Sequence, residues 1–147
     1  MQDHVGLPLS QDAALVAALA GTAMPFAHTA EDQAERWLRA MRLHGHVGSA
    51  LQALGVGEAP LMTRAEPALA ESATPAPSGD VAQRVVEGAG KLAHARNAPC
   101  VGTFDLLFAL FDEYGGLMDR ALYLRGASRD ELVERLASMG EPAEMRL

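Results

Sequence analysis

Three features of this 147-residue sequence predict an all-α fold. Apolar residues make up 49% of the chain but aromatics only 5%, and Ala, Leu and Val dominate, which favours helices packed closely through small side chains. The apolar residues recur at steps of three and four, the helical period. Ser, Thr or Asp precedes most of these runs and Gly or Pro follows them, in the order of helix caps. A chain of this length can bury one real core, so a single globule is expected over residues 1–147.

Met1 to Leu9 reads as an extended lead-in. Ser10 or Asp12 caps a first helix whose inward residues are Ala13, Val16, Ala17, Ala20 and Met24, and Pro25 ends it. Thr29 with Asp32 resembles a capping box and opens a second helix carrying Ala34, Trp37, Leu38 and Met41 on one side, ended by Gly45. Val47, Ala50, Leu51 and Leu54 mark a third helix stopped by Gly55, and a weaker helical turn is expected from Glu58 to Glu66. These form a first helical unit over 9–66.

Residues 67–79 change composition to Pro, Ala, Ser and Thr, with Pro67, Pro75 and Pro77 each lacking a backbone donor, so they read as a surface linker. A second unit over 80–138 then repeats the plan. Asp80 caps a helix through Ala95 with Val81, Val85, Val86, Ala89, Leu92 and Ala93 facing inward. Thr103 is expected to cap the next, which carries Leu106, Leu107, Leu110 and Phe111. Gly115 and Gly116 break it and, having no side chain, are expected to let the flanking helices cross closely. Leu117, Met118, Ala121, Leu122 and Leu124 follow, ending at Gly126. Ser128 and Glu131 then form a capping box for a last helix with Leu132, Val133 and Leu136. Residues 139–147 read as a polar tail expected to be flexible.

The two units overlay on each other. A shift of 69 places Val16 on Val85, Ala20 on Ala89, Leu38 on Leu107 and Met41 on Leu110. A shift of 71 places Gly45 on Gly116, Leu51 on Leu122 and Gly55 on Gly126. The expected architecture is therefore about eight helices in two four-helix repeats, a duplicated unit packed as one globule.

Charge and motif content narrow the function classes. A net charge of −7 with Lys91 as the only lysine removes the electrostatic attraction on which phosphate-backbone binding depends. His46 to Val56 has the look of part of a helix-turn-helix, so a helical DNA-binding transcriptional regulator is the alternative reading, with the acidity against it. Cys100 is the single cysteine and reads as a small buried hydrophobe. The run from Ala13 to Met24 lacks the basic flank of a secretory signal and is too short to span a bilayer, so a cytoplasmic location is expected. His44 and His46 form an H-x-H with no third ligand at a recognisable spacing, so no metal and no cofactor are expected. Asp112, Glu113 and Asp119 read as a solvated acidic turn. Trp37 reads as core. No nucleophile elbow is present, and no catalytic residue is assigned.

The second unit resembles a repeat of the Clp N-terminal domain, the substrate and adaptor receptor at the front of Clp-family AAA+ unfoldases. That family shows A-x-x-V-L/V-x-x-A, then V/I-G-T-E-H-L-L-L-A-L, an acidic glycine-rich turn and a helix closing on L-x-x-x-G. The corresponding residues here run from Ala82 to Ala89, from Val101 through Gly102, Thr103, Phe104 and Asp105 to Leu110, from Asp112 to Gly116, and from Leu122 to Gly126. The first unit follows the pattern more loosely, with Leu9-Ser10 in place of the family Phe-Thr and Ala50 to Val56 resembling the closing L-x-x-L-G-V.

The resemblance implies a non-catalytic peptide- or protein-binding module acting as adaptor, regulator or decoy in Clp-dependent proteolysis. Its partners would be a Clp unfoldase, an adaptor, substrate peptides or a small peptide-like ligand, with neither nucleic acid nor membrane. It places the ligand-binding candidates of the inter-repeat seam at Glu35, Thr103, Phe104, Asp105 and Ser78. Phe104 stands where the family has the Glu that helps some members recognise phosphoarginine-marked substrates, and Glu35 is expected at the equivalent place in the first repeat. The chain carries no G-x-x-x-x-G-K-[ST], so the sequence predicts a receptor without its motor.

Overall fold

The computed structural model describes residues 7–57, 75–76 and 79–140. Among them are seven α-helices: α1 (Gln11–Ala23), α2 (Ala30–Met41), α3 (Gly45–Ala53), α4 (Val81–Ala95), α5 (Thr103–Tyr114), α6 (Gly116–Leu124) and α7 (Arg129–Ser138). A short 3-10 turn, Met24–Phe26, follows α1 and contains Pro25. The only strand-like pairings among the described residues are isolated bridges, Leu9 with Val101 and Thr29 with Pro75. The turn expected from Glu58 to Glu66 lies outside the described residues, as do Pro77 and Ser78 in the linker and residues 141–147 of the tail.

Four caps form where the sequence places them. Ser10, Thr29, Asp80 and Ser128 accept the backbone N–H of Ala13, Asp32, Gln83 and Glu131 at 3.0, 3.1, 3.0 and 3.1 Å, each satisfying a donor that the first helical turn leaves orphaned. Thr103 is a correction. It is the first residue of α5 rather than its cap; Gly102 holds the cap position, and the Asp105 carboxylate accepts the Gly102 N–H at 3.0 Å. The Thr103 hydroxyl is turned away to accept the Val47 N–H at 3.3 Å, tying α3 to α5.

Helix α5 is the centre of the globule, packing against α1, α2, α3, α4 and α6. Leu106, Leu107 and Leu110 are wholly enclosed there with Trp37, Leu38, Met41, Leu51, Met118 and Leu122. Each such side chain contributes roughly 1.5–3 kcal/mol on leaving water. Some expected inward positions sit at the margin: Ala17, Met24, Val86 and Leu92 are half-buried, and Val133 is exposed while Leu132 and Leu136 carry α7.

The α5–α6 junction works differently from the expectation. A Cβ at Gly115 or Gly116 would meet nothing within 4 Å, so glycine is not needed for close crossing. Gly115 instead has φ 54° and ψ −126°, a backbone conformation open only to glycine. It serves as the end of α5 and the start of α6 at once.

The helices of the two sequence units can be laid on each other in more than one register. Helices α3 and α6 have nine residues each, and a shift of 71 lays the buried Val47, Ala50 and Leu51 on Met118, Ala121 and Leu122. Both end alike: Gly55 (φ 82°) and Gly126 (φ 86°) reverse the chain, and Val56 and Ala127 donate to Leu51 and Leu122, each at 3.0 Å. The shift of 69 lays the buried Ala34, Trp37, Leu38 and Met41 on the buried Thr103, Leu106, Leu107 and Leu110; helices α2 and α5, twelve residues each, also coincide end to end and in their buried positions at a shift of 73. Ala30, Gln33, Ala34, Trp37, Leu38 and Met41 fall on Thr103, Leu106, Leu107, Leu110, Phe111 and Tyr114. The difference is four residues, about one helical turn, which leaves an apolar stripe on the same face. At the shift of 73 Glu35 aligns with Phe108 and Asp32 with Asp105, whereas at 69 Glu35 aligns with Phe104.

Candidate binding groove

Asp80 starts α4 so that Val81, Val85, Ala89 and Ala93 turn into the core. On the other side of the helix, Gln83, Val86, Glu87, Gly90, Lys91 and His94 line a cavity of about 750 Å³. The opposite wall comes from Leu7, Leu9 and Val101. Leu9 and Val101 are bridged in parallel: the Ser10 N–H donates to the Val101 carbonyl and the Val101 N–H to the Pro8 carbonyl, both at 2.8 Å. Extended backbone points alternate side chains to one face, so Leu7 and Leu9 project together. The groove is thus built between α4 and the extended segment from Leu7 to Leu9 with its bridge to Val101.

Its walls are apolar and its rim is polar. The Gln83 amide donates to Glu87 at 3.2 Å. Lys91 has no ion-pair partner among the described residues. A Cβ added at Gly90 meets nothing within 4 Å, so the floor is open at that point. A volume of this size holds a drug-sized molecule or a few residues of extended chain.

None of the described sequence-predicted site residues lines this groove. The Glu35 carboxylate meets Arg125 Nη1 at 2.6 Å, and the Arg125 side chain is 1% exposed. Arg125 also donates through Nε to the Gly57 carbonyl at 3.2 Å. Glu35 therefore neutralises an enclosed guanidinium. Asp105, also 1% exposed, receives a two-pronged contact from Arg96, Nε to Oδ1 at 2.9 Å and Nη2 to Oδ2 at 2.7 Å. That hydrogen bonding holds the Arg96 guanidinium still more firmly protonated than usual, against the opposing cost of its burial.

Phe104 is half-buried, with the Arg96 guanidinium 5.4 Å from its ring centre and the Phe108 ring at 4.8 Å. Thr103, Phe104 and Asp105 thus share one turn beside Arg96, while Glu35 is held apart at Arg125. Ser78 lies outside the described residues.

Sequence reasoning did not find the groove residues. The available signal was the outward face of α4, where Val86 and Gly90 accompany the only lysine. A second polar contact was also missed: the Tyr114 hydroxyl donates to the Gln33 amide oxygen at 2.7 Å, joining α5 to α2 inside the core. Burial pushes the Tyr114 hydroxyl well above the ordinary tyrosine range, partly offset by the neighbouring Trp37 indole. His44 and His46 belong to no group of three or more metal-ligating side chains among the described residues.

No protein-family model matches this chain, and no curated protein sequence matches it significantly. Among the described residues no helix is long and apolar enough to cross a membrane.

Proposed function

We propose that this chain is a receptor module of the Clp N-terminal repeat type, built from two units related by a pseudo-twofold axis. It captures peptide or protein segments without catalysing a reaction, as an adaptor, regulator or decoy in Clp-dependent proteolysis. The observation that carries this reading is the way the units interlock: α2 packs on α6 and α3 on α5. Exchanging α2 with α5 and α3 with α6 turns each of these pairings into the other. The matching buried positions and identical glycine endings support the same relationship. A groove between α4 and the extended segment from Leu7 to Leu9 gives such a receptor its binding surface.

The test adds the purified protein to a reconstituted Clp unfoldase and protease degrading a fluorescent unfolded substrate. An adaptor raises the degradation rate and a decoy lowers it, in a dose-dependent way that Gly90→Trp abolishes. A rate indifferent to a large excess of the protein contradicts the reading.

A further inference from the structure

The bridge to Val101 leaves the other edge of Leu9 without a partner among the described residues. In a parallel pairing of this kind the bridging residue turns its own N–H and C=O away from the neighbouring strand. The bonds to Val101 come from Pro8 and Ser10, and the Leu9 N–H and C=O have no partner among the described residues. A backbone donor and acceptor held in extended form, next to an apolar groove, is the arrangement by which proteins take up a peptide as an added strand. The rim adds a polarity. Glu87 is engaged by Gln83, whereas Lys91 has no carboxylate partner among the described residues and His94 lines the same cavity. In a chain of net charge −7, the only lysine lines an open groove and pairs with no acidic side chain among the described residues.

We propose that the groove takes an extended apolar peptide bearing a carboxylate, its backbone hydrogen-bonded to Leu9, its apolar side chains against Val86 and Gly90, and its carboxylate at Lys91. This rests on the receptor reading and specifies the ligand class of that site. Alternate residues of such a peptide point toward the groove, so apolar residues at every second position satisfy it.

The probe is a synthetic six-residue peptide alternating Val or Leu with Thr and ending in a free carboxylate. Its binding is followed by fluorescence anisotropy and by exchange of the Leu9 amide proton in NMR. Binding should slow Leu9 exchange. Of two analogues N-methylated on alternate amides, one should bind about tenfold more weakly and the other nearly unchanged, because only one set of amides faces the Leu9 edge. Amidating the C-terminus should weaken binding several-fold in the wild type but not in Lys91→Ala. Gly90→Trp, which fills open space, should abolish binding while the protein stays folded.

Equal binding of both N-methylated analogues, with Leu9 exchange unchanged, overturns the added-strand geometry but leaves the receptor reading standing. Unchanged affinity in Gly90→Trp overturns the groove as the site. Failure of the peptide to bind the wild type overturns this ligand class, and the unfoldase titration then decides the receptor reading separately.

Discussion

Arg125 and Glu35 form a contact of 2.6 Å between α2 and the end of α6, with the guanidinium 1% and the carboxylate 19% exposed. The pair lies at a point from which water is nearly excluded. Removing only the carboxylate leaves a charge enclosed without its counter-ion, so Glu35→Ala should cost about 3 kcal/mol in urea unfolding. Replacing both residues removes the unmet charge, so Glu35→Ala with Arg125→Met should recover much of that loss. A double variant as unstable as the single one would mean that Arg125 acts chiefly through its bonds to the Gly57 and Ala121 carbonyls.

Asp105 holds both Arg96 and the N–H of Gly102, the cap residue of α5. Asp105→Asn keeps the shape but loses the ionic character of both contacts, and should lower stability by about 2 kcal/mol. Arg96→Lys should cost less, about 1 kcal/mol, since the Arg96 side chain is 41% exposed and the Gly102 contact survives. Chemical denaturation of the two variants checks the order.

Helix positions were legible in the sequence to the extent that local chemistry sets them. The Ser10, Thr29, Asp80 and Ser128 caps needed only the side chain and the donor three residues ahead. Trp37 and the apolar stripes followed from periodicity. Periodicity leaves the register between α2 and α5 open, because a four-residue slip keeps a helix on the same face. The partners of Glu35 and Asp105 were also hidden, since nothing local couples Glu35 to a residue ninety positions away. The groove depended on an extended segment pairing with Val101, a long-range backbone contact that leaves no periodic trace.

Tyr114 should make stability fall at high pH. Its folded-state pKa is raised by burial, so below the unfolded value of about 10 the group has no effect on the balance. Above that value the unfolded chain gives up the proton while the folded one keeps it, and stability declines as pH rises through this window. Tyr114→Phe should remove this decline while costing about 1–2 kcal/mol at neutral pH, because the Gln33 oxygen loses its donor. Thermal melts of both proteins between pH 8 and 11 check the crossing trend.

Glycine substitutions should separate backbone need from space. Gly115→Ala forces an alanine into φ 54° and ψ −126° and should cost about 1–3 kcal/mol. Gly90→Ala in the middle of α4 meets no atoms and should stabilise by about 0.5–1 kcal/mol. Urea midpoints of the two variants should move in opposite directions.

The most direct measurement is a two-dimensional NMR titration of the isotopically labelled protein with a permanently unfolded polypeptide, such as reduced and carboxymethylated lactalbumin. The receptor account predicts that amide signals of Leu7, Leu9, Val101 and the α4 residues from Val86 to His94 shift together and saturate, and that Gly90→Trp abolishes the response. Signals that stay unmoved, or that shift only on surfaces remote from α4, would contradict it.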